Sequence, residues 1–97
     1  MKLRLAKEKK GWSLYVLKCS DGAFYTGITN DLTRRLKQHN EGTASRYTRS
    51  RLPVRVIFQE QCRSKSHALK KEIALKSMTR KKKEEYINSR QFWKIRG

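Results

Sequence analysis

The chain has 97 residues, with 25 Lys and Arg against 8 Asp and Glu, for a formal net charge of +17. That length allows one domain and one modest core. It contains no run near the ~20 apolar residues of a membrane span, and its charge makes a polyanion the natural partner: nucleic acid first, an anionic membrane surface second.

Residues 1–11 read as a basic arm or a first frayed strand, with no apolar signal core after it. A cytoplasmic location is the expectation. Cys19 and Cys62 are isolated thiols, expected reduced and partly buried. Together with two distant histidines they do not make a zinc site.

Residues 12–18 (WSLYVLK) are aromatic and aliphatic and read as a strand. Residues 23–29 (AFYTGIT) read as a second, joined to the first by the turn signal Ser20-Asp21-Gly22. The register of this hairpin decides what its tyrosines can do. A two-residue loop pairs Cys19 with Phe24 and sends Tyr15 and Tyr25 to opposite faces, because strand side chains alternate. A three-residue loop pairs Cys19 with Ala23 and Leu17 with Tyr25, and puts Tyr15, Leu17 and Tyr25 on one face. That loop ends in a left-handed residue, and Gly22 suits it. The three-residue form is expected.

Asn30 or Asp31 caps a helix running to about residue 40, terminated by Gly42. Leu32 and Leu36 mark its buried stripe. At 100° per residue, Arg35 lies about 60° from Leu32 and His39 about 20°, so both flank that stripe. Arg34 lies about 200° away and faces solvent. Arg35 is therefore the site candidate of the two.

Residues 43–52 form a polar loop or short turn of helix carrying Arg46, Arg49 and Arg51, ended by Pro53. Residues 54–61 read as a third strand, with Val54, Val56 and Phe58 sharing a face. Ser64 or Ser66 starts a second long helix to about Ser77. Thr79 caps a third through about Asn88, opened by Arg80-Lys81-Lys82-Lys83. Residues 91–97 hold Phe92, Trp93 and Ile95, which are expected to fold back as a last piece of core. The fold class is α+β: a small, mainly antiparallel three-stranded sheet flanked by about three helices.

Glu72 stands out on the second long helix. It lies about 40° from Ala68 and about 60° from Leu69 and Leu75, so its carboxylate emerges on or near the face that packs on the sheet. Burying an unpaired carboxylate is costly. Either it pairs with Arg35 or a lysine or snorkels to solvent, or it is a metal ligand or acid–base group in a cleft. The tyrosines and Arg35 nearby favour the metal.

Taken together, these residues resemble the GIY-YIG nuclease family. Its first motif corresponds to Leu14-Tyr15-Val16 and its second to Tyr25-Thr26-Gly27. The helical arginine of the family matches Arg35, the aromatic or histidine one turn later matches His39, and the metal-binding glutamate matches Glu72. Residues 12–90 are the nuclease-like domain on this resemblance, with 91–97 as a tail. Segments such as Cys19-Ser20-Asp21-Gly22, Gln38-His39-Asn40 and Tyr47-Thr48-Arg49 are similar to the small stand-alone UPF0213 group of that family. The first motif keeps only its tyrosine, and Thr26 replaces isoleucine in the second.

The resemblance implies phosphodiester hydrolysis with one divalent cation, Mg²⁺ or Mn²⁺, held by Glu72. Tyr15 is then the candidate general base, Arg35 the phosphate and transition-state cation, and Tyr25 a ligand of phosphate or water. His39 orients a tyrosine or shuttles its proton. Gly27 allows close approach of backbone or substrate. Arg34, Arg46, Arg49 and Arg51 form a rim that holds nucleic acid, DNA favoured over RNA. A partner protein supplying specificity fits a chain of this size. The competing reading is a nucleic-acid-binding module with weak or no catalysis, or an RNA-associated protein.

Overall fold

The computed structural model describes residues 11–96 and the side chains of 11–89. The expected arm, residues 1–11, lies almost wholly outside the described residues, and so do the side chains of Phe92, Trp93 and Ile95. The elements run β1 (Trp12–Lys18), β2 (Phe24–Thr29), α1 (Leu32–Asn40), α2 (Arg46–Arg49), β3 (Arg55–Cys62), α3 (Lys65–Lys76) and α4 (Arg80–Arg96). The strands form one antiparallel sheet in the order β2-β1-β3. This is the expected α+β architecture, and of the two readings of residues 43–52, polar loop or short turn of helix, α2 is the second.

The hairpin has the three-residue loop. The Cys19 amide donates to the Ala23 carbonyl at 2.8 Å, and Leu17 pairs with Tyr25. Gly22 sits at φ +88°, where a side chain would be strained. The Asp21 carboxylate closes the loop by accepting from the Ala23 amide at 3.0 Å.

The sheet is covered on both faces. One face holds Leu14, Val16 and Phe58 against Ala68, Leu75 and Ile87 of α3 and α4. The other holds Tyr15, Leu17 and Cys19 against Leu32 of α1, with Tyr25, Leu36 and Val56 packed around them. Central strand β1 is thus apolar on both sides, and fully burying Leu14 and Leu17 contributes roughly 1.5–3 kcal/mol each.

Strand β3 departs from simple alternation. Val16 pairs with Phe58 but Leu17 pairs with Val56, which leaves Ile57 as an extra residue. Side chains on either side of such a bulge no longer follow a period of two. Val54 and Val56 therefore join the Tyr15 face, while Phe58 joins the Leu14 face. The expected single face for Val54, Val56 and Phe58 does not form.

Side-chain caps fix the helix starts. The Asp31 carboxylate accepts from the Arg34 amide, the Ser45 hydroxyl from Tyr47 and Thr48, and the Ser64 hydroxyl from His67. Thr79 does the same for α4, accepting from the Lys82 amide at 3.2 Å. That helix runs on to Arg96, past the end expected near Asn88. A second polar tie closes the α1 end of the site: the Asn40 amide group both donates to the Val54 carbonyl and accepts its N–H, at 3.1 and 2.8 Å.

Candidate active site

Tyr15 is the residue around which His39, Tyr25 and Gly27 gather. It lies on the α1 face of the central strand and is only 2 % exposed. Its partner across the β1–β2 ladder is Gly27. A Cβ placed on Gly27 would fall 2.7 Å from the Tyr15 hydroxyl oxygen and 2.8 Å from Cζ. The phenol thus lies across the bare backbone of Gly27. The close approach expected at this glycine is made by a residue of the protein itself.

His39 meets the phenol from α1. Its Nε2 lies 3.0 Å from the Tyr15 hydroxyl, and the ring is 1 % exposed. Its other nitrogen, Nδ1, lies 2.9 Å from Thr48 Oγ1. Burial, and then the Arg35 charge, lower the His39 pKa to about 4, so the ring is neutral at pH 7. Burial pushes the Tyr15 phenol above its usual range, and the neighbouring Tyr25 adds to that rise. Arg35 pulls it back down, and Glu72 pushes it up slightly. Arg35 stands on α1, on the Tyr15 face, whereas Glu72 stands on α3, whose Ala68 and Leu75 pack on the opposite, Leu14 face of the sheet.

Tyr25 packs beside this pair. Its ring centroid is 5.0 Å from that of His39 and 6.4 Å from that of Tyr15. Tyr47 of α2 stacks on its outer side at 6.1 Å and is 41 % exposed. Arg35 is half-buried and donates to the Gln38 side chain at 3.4 Å. Arg34 turns outward to Asp31, 3.7 Å away, as its position on the helix predicted.

Glu72 lies on the buried side of α3, between Ala68 and Leu75 in i, i+4, i+7 spacing. Its side chain is 17 % exposed and pairs with Lys76 at 3.1 Å. Leu69 and Ile73, the other large apolar residues of that helix, point outward at 41 % and 67 % exposure. Among the described residues no three His, Cys, Asp or Glu cluster to hold a metal. A single carboxylate suits a hard cation that keeps water and substrate oxygens in its shell, Mg²⁺ or Mn²⁺, and does not suit zinc.

The basic rim divides in two. Arg46 and Arg49 are exposed on α2. Arg51, expected beside them, is committed within the chain. It pairs with Asp21 at 3.1 Å, donates to the Tyr47 carbonyl at 3.0 Å and lies 4.0 Å over the Tyr47 ring. It straps the β1–β2 loop to α2.

Sequence reasoning missed Thr48 and Asn40. Thr48 is fully buried, and its signal was the Ser45-x-x-Thr48 spacing, a capping serine one turn before a second hydroxyl.

Residues 11–85 match the family model described as the GIY-YIG catalytic domain. The chain is 48 % identical over 80 residues to a UPF0213 protein of Bacillus pumilus, covering 82 % of each. It is 49 % identical over 74 residues to a UPF0213 protein of Streptococcus agalactiae, covering 76 % of this chain and 84 % of that one. Its fold is similar to the solution NMR structure of a protein from E. faecalis, with a TM-score of 0.63 and 44 % identity over 87 % of this chain and 90 % of that one. A UPF0213 protein from Bacillus halodurans gives a TM-score of 0.54 at 39 % identity, over 79 % and 82 % of the two chains.

Proposed function

The chain belongs to the GIY-YIG family, and from the geometry around Tyr15 we propose that it is an endonuclease that hydrolyses phosphodiester bonds in DNA with one divalent cation. The observation that carries this reading is the buried Tyr15–His39 hydrogen bond at 3.0 Å.

A phenol with a raised pKa is a poor base if it must first ionise. Beside a neutral imidazole it need not. Tyr15 takes a proton from the attacking water as its own passes to His39, so neither phenolate nor imidazolium stands as a ground state. Arg35 binds a non-bridging phosphate oxygen and offsets the charge that grows there. Tyr25, held by the His39 and Tyr47 rings, presents its hydroxyl to phosphate or water. Glu72 holds the cation, Mg²⁺ or Mn²⁺. When bound, that cation supplies Lewis-acid polarisation of the phosphodiester and stabilises the leaving oxygen.

Arg34, Arg46 and Arg49 hold the nucleic-acid backbone, while Arg51 acts at one remove by fixing α2. The net charge of +17 favours nucleic acid over any neutral partner. Among the described residues no helix is long and apolar enough to cross a membrane. The buried, unpaired thiols of Cys19 and Cys62 fit a reducing cytoplasm. A partner protein would supply sequence preference.

The raised phenol pKa favours a second reading, a nucleic-acid-binding module with slow turnover. Incubating plasmid and matched single-stranded DNA and RNA with the protein and Mg²⁺ or Mn²⁺ separates the two. The nuclease reading expects fragments that vanish with a chelator and with Glu72→Ala. Salt-sensitive binding with no cleavage under any metal supports the module. Equal cleavage by Glu72→Ala removes the metal site.

A further inference from the structure

We propose that Thr48 is a positioning residue: it holds the His39 ring in the tautomer that carries its proton on Nδ1 and so leaves Nε2 to accept the Tyr15 hydroxyl. The inference rests on Tyr15 acting as the base.

Tyr15 is buried, and among the described residues its hydroxyl has one hydrogen-bond partner, His39 Nε2. If Nε2 carried a proton it would donate to the phenol oxygen, and the Tyr15 proton would be left without a protein acceptor. A buried donor without a partner is costly. Tyr15 therefore donates, and Nε2 is bare. A neutral imidazole then carries its proton on Nδ1.

That proton points at Thr48 Oγ1, 2.9 Å away. A threonine hydroxyl has a single proton and two lone pairs. Thr48 gives its proton back along α2 to the Ser45 carbonyl at 3.3 Å, and keeps its lone pairs for Nδ1–H. All donors in this chain point one way: Tyr15 to His39, His39 to Thr48, Thr48 to Ser45. The chain is buried at Tyr15, His39 and Thr48 alike, so water competes weakly for it.

Helix α2 is only four residues long, and its place in the fold makes sense in these terms. Ser45 starts it by capping the amides of Tyr47 and Thr48. Arg51 fixes its far end to Asp21. Between these two anchors, one side chain faces the core, and it is Thr48.

The molecule contains its own reference. His67, the second histidine, accepts the Arg63 amide on Nδ1 at 3.1 Å. Its neutral form must carry the proton on Nε2. The two histidines are therefore expected in opposite tautomers.

Long-range ¹⁵N–¹H correlation spectra of histidine-labelled protein at neutral pH read this directly, with His67→Gln assigning the signals. The expected result is Nδ1–H for His39 and Nε2–H for His67. Thr48→Ser should keep the His39 pattern and kcat within about twofold. Thr48→Val should shift His39 toward Nε2–H, with kcat falling on the order of 10² at unchanged KM. A wild-type His39 protonated on Nε2, or a Thr48→Val protein with the His39 pattern unchanged, overturns the assignment. Should Thr48→Val not fold, Thr48→Ala takes its place, with the same shift of His39 toward Nε2–H expected. The tautomer is read without substrate, so a chain that shows Nδ1–H but cleaves nothing would defeat the nuclease reading, and with it the catalytic part given to Thr48, and leave only the hydrogen-bonded tautomer standing.

Discussion

Tyr15 and Gly27 are partners across β1 and β2, and the phenol of one occupies the space a side chain on the other would need. The contact lies at 2.7–2.8 Å from an ideal Cβ, well inside van der Waals distance. Neither end of it yields easily, because Gly27 is strand backbone and the Tyr15 ring is held by His39. Gly27→Ala should therefore push the phenol off Nε2. Overpacking of this kind costs about 1–3 kcal/mol, and loss of the aligned base should slow cleavage on the order of 10². Thermal melting and single-turnover cleavage check both. A Gly27→Ala protein with wild-type rate would show that the phenol position does not matter.

The depressed pKa of His39 gives a pH dependence with a definite sign. The ring titrates near 4 when folded and near 6.5 when unfolded. Between these values the unfolded chain binds more protons, so stability falls as pH drops from about 6.5 to 4. The full loss from this group is about 3 kcal/mol, since each pKa unit is ~1.36 kcal/mol. His39→Gln should remove most of that slope. Denaturant titrations of both proteins at pH 7 and pH 4.5 measure it, and parallel slopes would contradict the assignment. The acid limb of kcat/KM should likewise lie near pH 4.

Arg46 and Arg49 are exposed on α2, whereas Arg51 is bound to Asp21 and Tyr47. Their substitutions should therefore differ in kind. Arg46→Gln with Arg49→Gln should lower the slope of log affinity against log salt by about 2, near 0.9 per lost phosphate contact on duplex DNA. Arg51→Gln should lower the melting temperature and leave that slope almost unchanged. Fluorescence anisotropy in chelator across a salt series distinguishes them. An equal fall in slope for Arg51→Gln would mean that its guanidinium leaves Asp21 for the phosphates.

On the opposite face, Glu60 of β3 accepts from Lys71 of α3 at 2.7 Å and from Tyr86 of α4 at 2.6 Å. The network joins three elements, and Glu60 is only 13 % exposed. Its acceptance holds Lys71 above the usual amine range. Lys71→Met takes the ammonium from a largely buried carboxylate and should cost on the order of 2 kcal/mol. It should leave kcat unchanged, because Glu60 and Tyr86 lie on the Leu14 face of the sheet, opposite Tyr15. Chemical denaturation with a parallel rate assay tests this. Unchanged stability would mean that the pair is as weak as one in open solvent.

Much of this arrangement was legible in the sequence because it depends on local rules. Ser20-Asp21-Gly22 set the loop length, and loop length set the faces of Tyr15 and Tyr25. The 100° step separated Arg34 from Arg35 and turned His39 inward. What stayed hidden depended on residues distant in sequence. The bulge at Ile57 follows from how β3 meets both faces of β1, and no turn residue marks it. Leu69 and Ile73 are as apolar as core residues, yet α3 presents Ala68, Glu72 and Leu75 to the sheet instead. Thr48 reads as a polar loop residue until α2 is placed against α1. Arg51 reads as free surface charge until Asp21 is brought beside it.

Tyr15→Phe removes one oxygen and keeps the ring over Gly27, so it isolates what the hydroxyl contributes. Single-turnover cleavage of plasmid DNA with saturating Mg²⁺ or Mn²⁺ should fall at least ~10² below wild type, with DNA affinity in chelator unchanged. A Tyr15→Phe protein that cleaves at the wild-type rate would contradict the account, since the hydroxyl held by His39 would then have no part in the chemistry.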